Sequence, residues 1–187
     1  MSVAEQIERT DRAVAEKAAP VRETLPVTVL GGLSEIADQP ELISLCAATV
    51  ILGLLRRDRK LARTGAEMLA AELLATKCKS FVKHRVDRTR PRVVADGGDY
   101  VLQPGSSSDS DDCSFPSGHT AGAVAVARAI AREYPEHGVA AYASAAAVAL
   151  IQIPRCQHYP SDLAAGALIG LGADAAVALL GSALSRH

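Results

Sequence analysis

After Pro116 the chain becomes three runs of small apolar residues, 118–134, 138–153 and 162–184, the second closed by Pro154. These runs limit the fold more than any other feature. Alanine and leucine dominate them, and both are strong helix formers. Ser117 stands where the N-cap of the first helix is expected. Hydrophobic residues make up 49% of the chain, yet aromatics are only 3% and tryptophan is absent. Such helices pack through small side chains at close approach, as membrane bundles do. Gly166 and Gly170 supply a GxxxG spacing suited to that contact, although the same spacing arises by chance in glycine-rich runs.

Upstream, residues 3–18 read as a charged amphipathic helix ending before Pro20. Residues 22–39 allow a short helix broken at Gly31–Gly32. Residues 41–55 are apolar and stop at the basic RRDRK, and 61–83 carry apolar residues at intervals of three and four. The Gly, Ser, Asp and Pro content of 93–115 argues against a regular element there. The expected fold is all-α, a bundle of five to six helices. A single domain covers 1–187, with 1–40 an amphipathic or interfacial segment and 41–187 the helical core.

Five of these segments approach the ~20 apolar residues that cross a bilayer. Charges interrupt three of them: Arg63 to Lys79, Arg128 with Arg132, and Asp174. Charge at that depth is costly unless it faces protein. Five crossings put RRDRK, the Arg132 turn and the terminal SRH on one side, which suits a cytoplasmic face. The other side receives loop 84–117 with Lys83, Arg85, Arg88, Arg90 and Arg92, an excess that calls for a local anionic ligand. The N-terminus lacks the basic start and continuous apolar stretch of a signal peptide. A net charge of −1 gives no reason to expect nucleic acid. The four cysteines have no metal-site spacing. Cys46 and Cys78 read as core residues, and Cys113 and Cys156 as free thiols or a disulfide in an oxidising compartment.

Three stretches carry chemistry. KHRVDRTRP, residues 83–91, places Lys83 and Arg90 at a helix end, a pattern that also fits a solvated basic face. PSGH, residues 116–119, opens a helix whose free N–H groups and dipole favour an anion. There Gly118 admits close approach and His119 sits in the first turn; a plain serine cap with an incidental histidine fits equally. CQHYPSD, residues 156–162, sets Asp162 four residues after His158. A carboxylate so placed can accept the ring N–H and raise the nucleophilicity of the imidazole, or it can simply cap the next helix.

Taken in order, these stretches resemble the type 2 phosphatidic acid phosphatase family, which includes bacterial acid phosphatases and vanadium haloperoxidases. The family pattern is KxxxxxxRP, then PSGH, then SRxxxxxHxxxD. The chain matches at Lys83, Arg90 and Pro91, throughout PSGH, and at His158 and Asp162. It departs at Ile151 and Gln152, where the family has serine and arginine. Arg155 is the nearest cation to take over that arginine's contact.

The resemblance implies a metal-independent phosphatase, without cofactor, acting on a lipid phosphate or pyrophosphate. Lys83, Arg90, Arg155 and the backbone at Ser117 and Gly118 would hold the phosphate. His158 would attack phosphorus to give a phosphohistidine, Asp162 would orient it, and His119 would protonate the leaving group and then activate water. It also implies a bacterial inner-membrane location with the site facing the periplasm. The alternatives are a soluble acid phosphatase or haloperoxidase of the same architecture, and a degenerate, non-catalytic binder of anionic lipid. Partners are the lipid phosphate and the bilayer; oligomeric state is open.

Overall fold

A computed structural model describes residues 2–107 and 109–184. Its α-helices are α1 (Val3–Ala18), α2 (Leu25–Ser34), α3 (Gln39–Arg56), α4 (Arg59–Lys83), a short α5 (Pro91–Ala95), α6 (Gly118–Glu133), α7 (Gly138–Ile151) and α8 (Pro160–Leu184). Strands β1 (Val86–Arg88) and β2 (Leu102–Pro104) pair antiparallel inside the loop between α4 and α6. The small sheet corrects the expectation of a wholly irregular 93–115. Val86, Asp87 and Arg88 pair with Pro104, Gln103 and Leu102, so a long-range partner supplies what local propensity does not.

Local chemistry sets the helix ends. Ser2 and Glu5 form a reciprocal capping box at the start of α1. Asp58 caps α4 by accepting the Leu61 N–H at 3.0 Å. Ser117 caps α6 as expected, accepting the Thr120 N–H. Helix α2 runs unbroken through Gly31–Gly32, contrary to the break expected there. Gly31 is buried, and the Arg155 side chain fills the space its missing side chain leaves.

Helix α4 packs against α3, α6 and α8, and α6 also packs against α7 and α8. At the α4–α6–α8 crossing the buried residues of the hydrophobic cluster are all alanine: Ala71, Ala75, Ala121, Ala125 and Ala173. A Cβ on Gly166 would lie 2.5 Å from the Ser117 carbonyl, and one on Gly170 would strike that of Ala121. The GxxxG spacing is thus a real contact face, which brings the start of α8 against the start of α6. A second cluster joins Leu42, Cys46, Met68, Val126 and Ala129. Cys46 is buried, but Cys78 is exposed rather than in the core, because it lies beside Lys77 on the outward side of α4; all four cysteines are free.

Among the described residues, two helices have the length and composition to cross a membrane, Gln39–Arg56 and Pro160–Ala183, with mean hydropathies of 1.3 and 2.0. Most of each lies on the outside of the bundle, and Leu54, Leu55, Leu168 and Leu179 are at least 65% exposed. This supports a membrane protein. Of the charges interrupting the apolar segments, Asp174 is buried and Arg132 faces protein, while Arg63 and Arg128 are exposed. Arg132 lies 2.7 Å from Glu67 and 3.2 Å from Asp174, and Arg128 lies 3.5 Å from Asp174. This network occupies the bundle end that holds the α3–α4 turn.

Candidate active site

The opposite end holds a cavity of about 560 Å³. Both imidazoles, His119 at the start of α6 and His158 just before α8, line it. So do Lys79 and Lys83 from the last turns of α4, Arg90 and Arg92 after β1, Gly118, and Gln152 and Arg155 after α7. Residues far apart in the chain therefore meet on one concave surface.

His158 is 3% exposed. Its Nδ1 lies 2.7 Å from the Ser114 carbonyl. A carbonyl only accepts, so Nδ1 carries the proton and Nε2 keeps its lone pair. Burial, aided by the Arg90 and Lys83 charges and opposed by Asp162, pushes its pKa down to about 4. The ring is therefore neutral near pH 7. Asp162 lies behind the imidazole, 3.7 Å from Nδ1, rather than accepting its proton. Ser114 holds that role, because Asp162 is engaged elsewhere. Its Oδ1 accepts from Arg88 Nη1 at 2.5 Å, and its Oδ2 accepts from Ser114 Oγ at 2.5 Å and the Tyr159 N–H at 2.8 Å. Asp162 thus caps α8 and supports His158 at once.

Lys83 and Arg90 are held by neutral oxygens. Lys83 Nζ donates to the Cys113 carbonyl at 2.9 Å. Arg90 donates to the Ser110 carbonyl at 2.7 Å and to Gln157 Oε1 at 2.8 Å. Among the described residues no carboxylate pairs with Lys79, Lys83 or Arg90. Burial, with the repulsion of Arg92, lowers the Arg90 pKa. The acidic loop 109–112 is part of this arrangement. It presents the Ser110 carbonyl to Arg90, and Asp111 pairs with Arg92.

Two expectations change. The Ser117 backbone N–H, expected in the phosphate cradle, is taken within the fold. It donates to the Asp162 carbonyl at 3.1 Å, and the Ser117 hydroxyl oxygen caps α6, so the residue joins the start of α6 to α8. Arg155 reaches the cavity wall, but its guanidinium is taken by Glu35 Oε1 at 2.5 Å and Ser34 Oγ at 3.0 Å. Gln152 is fully buried and donates to the same Ser34 oxygen at 3.2 Å. Lys79, unmarked by any motif, is the additional free cation. One turn before Lys83 on α4, its Nζ lies where a Cβ on Gly118 would come within 2.7 Å. The i, i+4 spacing of the two lysines was its only signal in the sequence.

His119 Nε2 lies 3.0 Å from Asp38 Oδ1 and 3.8 Å from Glu35 Oε2, without an aligned hydrogen bond to either. Asp38 occupies the N-cap position of α3 but leaves that helix uncapped, which frees its carboxylate for His119. Burial and the neighbouring Glu35 raise the Asp38 pKa against the opposing pull of His119. Burial would raise Glu35 too, but its hydrogen bond to Arg155 holds it below the ordinary value. Nothing local in SEIAD, residues 34–38, points to this role. Ligand atoms of Glu35, Asp38 and His119 lie within 4.8 Å of one another, the one grouping among the described residues that could hold a metal ion. Arg155 already neutralises one of its two carboxylates, so the donor set does not favour a cation.

The PAP2 superfamily model matches residues 64–185. The chain belongs to the PAP2 superfamily. It is 30% identical over 106 residues to the lipid A 1-phosphatases of Rhizobium etli and Rhizobium johnstonii, covering 57% of this chain and 45% and 43% of those proteins. The chain thus spans less than half the length of these curated relatives. A transmembrane PAP2-type phosphatidylglycerolphosphate phosphatase from Bacillus subtilis superposes with a TM-score of 0.63 at 18% identity, over 97% of this chain and 88% of its own. LpxE of Aquifex aeolicus superposes with a TM-score of 0.60 at 19% identity, over 88% of this chain and 92% of its own. The PAP2 match contains every motif residue, whereas Asp11, Ser34, Glu35 and Asp38 lie before it.

Proposed function

We propose that this chain is a phosphatase of lipid phosphates or pyrophosphates that works through a phosphohistidine. The observation that carries the reading is the convergence on one cavity of His119, His158 and the cations Lys79, Lys83 and Arg90, which pair with no carboxylate among the described residues. Uncompensated buried cations are costly by themselves and become favourable when a phosphate neutralises them.

Lys79, Lys83, Arg90 and the N–H groups at the start of α6 hold the non-bridging oxygens. Arg155 adds its charge from the wall. The Nε2 lone pair of His158 attacks phosphorus while the P–O bond to the lipid breaks. His119 gives its proton to the departing oxygen. Asp162 stabilises the positive charge left on the phosphorylated imidazole. Water then attacks phosphorus, loses its proton to His119, and breaks the P–N bond, which restores neutral His158 and releases phosphate. Every proton and charge is accounted for by these side chains, so the cycle as proposed needs no metal or cofactor.

The lipid A 1-phosphatase relatives and the PAP2-type phosphatidylglycerolphosphate phosphatase point to substrates with a lipid leaving group. We place the chain in the bacterial inner membrane with the cavity toward the periplasm. The basic RRDRK turn lies at the opposite end of the bundle, where the positive-inside rule expects the cytoplasm. The test is phosphate release by purified chain in detergent, without divalent metal. The panel is phosphatidate, phosphatidylglycerophosphate, undecaprenyl pyrophosphate and lipid A 1-phosphate. Release from at least one, abolished by His158→Ala, is expected; no release from any overturns the reading.

A further inference from the structure

Helix α1 is amphipathic, yet it buries no apolar residue: its one buried side chain is Asp11, 2% exposed. A surface helix normally docks through an apolar stripe. Here a carboxylate makes the deepest contact, and it leads to the site.

Asp11 Oδ2 accepts from Arg88 Nη2 at 2.8 Å and from Ser161 Oγ, and its Oδ1 accepts the Ser161 N–H at 3.0 Å. Arg88, 3% exposed, donates its Nη1 to Ser161 Oγ at 2.7 Å and to Asp162 Oδ1 at 2.5 Å. Its guanidinium lies 4.1 Å from the Tyr159 ring centroid, and its Nη2 also reaches the Tyr100 hydroxyl at 3.3 Å. The two tyrosine rings meet edge to face at 5.9 Å. The arginine is thereby fixed in plane and direction. The carboxylate it holds is the one behind His158.

Stability alone does not explain such a network, since apolar residues of similar size often stabilise a fold as well as a buried ion pair does. Charge offers a reason. Asp11, Arg88 and Asp162 together carry a net −1. Without Asp11 the whole Arg88 charge would fall on Asp162 and cancel its field at the imidazole. Asp11 touches no residue of the cavity wall, so it has no direct route to bound phosphate.

We propose that Asp11 is a positioning residue for the reaction, acting through Arg88, with the Ser161 hydroxyl bridging the two, to orient Asp162 and to preserve its negative field behind His158. The proposal rests on His158 being the nucleophile. Asp11 lies outside the region that defines the superfamily, so the device belongs to this chain's own N-terminal helix.

The test measures kcat and KM for phosphate release from phosphatidate in detergent micelles, with the full chain, for the wild type, Asp11→Asn, Arg88→Gln and the double variant, beside their unfolding temperatures. Asp11→Asn is expected to lower kcat about tenfold with KM unchanged, as for loss of other partners that orient a reacting group. In the Arg88→Gln background, Asp11→Asn is expected to change kcat no further, because the path to Asp162 is already cut. Wild-type kcat in Asp11→Asn, or an equal tenfold loss in both backgrounds, overturns the proposal. If Asp11→Asn does not accumulate, Ser161→Ala carries the test, since it keeps all three charges and removes only the bridging hydroxyl. About threefold lower kcat at unchanged KM is then expected, and wild-type kcat overturns the proposal. A wild type that releases no phosphate from phosphatidate or any other lipid of the panel overturns instead the phosphatase reading beneath it.

Discussion

The two ends of the bundle use the same residue types in opposite ways. At the α3–α4 turn end, Arg132 and Arg128 face Glu67 and Asp174, and each cation meets a carboxylate. At the cavity end, Lys83 and Arg90 are held by carbonyl and amide oxygens, which fix their direction without neutralising them. The first arrangement is electrostatically closed and serves the fold. The second is open, as the proposed phosphate binding requires. Arg88 shows that this end also neutralises a cation where it acts as support, since it pairs with both Asp11 and Asp162. The distinction between a structural and a binding cation is thus the identity of its acceptor, a feature no sequence motif records.

The largest effect belongs to the proposed nucleophile. His158→Ala is expected to reduce phosphate release by ~10³-fold or more in a steady-state assay, with the helical circular dichroism unchanged. Retained activity would leave the open end without a reaction. Next, Arg90→Ala is expected to lower kcat/KM by about 10² to 10³, as for loss of a preorganised transition-state contact. Because Arg90 pairs with no carboxylate among the described residues, none is orphaned and the unfolding temperature of the variant should hold or rise. Arg132→Met inverts that result: about 1–3 kcal/mol of stability lost in chemical denaturation, since buried Asp174 keeps only Arg128 and Glu67 only the exposed Arg63, with kcat of the folded fraction unchanged. Equal stability losses for the two arginines would erase the distinction between the ends.

The smallest effect is on acid tolerance. The folded-state pKa of His158 is about 4, below the 6.5 of a free imidazole. Protonation therefore favours the unfolded chain. The stability this group contributes is full above pH 6.5 and is lost as pH falls toward 4. Its lone pair follows the same window, so the acid limb of kcat/KM should fall only near pH 4, while the proton that His119 must carry sets the limb at higher pH. Asp162, Lys83 and Arg90 face the ring, and Arg90→Ala, which removes one opposing cation, should move the acid limb upward.

The motif residues Lys83, Arg90, Gly118, His119, His158 and Asp162 were legible as a group, and the structure brings His158 and its neighbours to one cavity. Helix α1 has the bounds its periodicity and Pro20 predict, and Ser117 caps α6 as its position after a loop predicts. The misreadings share a cause. Arg155 looks like a substitute phosphate ligand by proximity to Gln152, but Glu35, 120 residues away in sequence, takes it. Asp162 looks like the acceptor for His158 by its spacing of four, but the Ser114 carbonyl is nearer and Arg88 holds the carboxylate.

What the sequence determined by itself is whatever acts within a turn or two: helices, caps, the apolar runs and the identity of the reactive groups. These depend on backbone hydrogen bonds and side-chain spacing between near neighbours. Only the tertiary structure decided which cations stay open, which carbonyl sets the His158 tautomer, and that Asp11 stands behind Asp162. Those are contacts across tens of residues, where close packing of alanine and glycine faces, rather than chain proximity, chooses the partner.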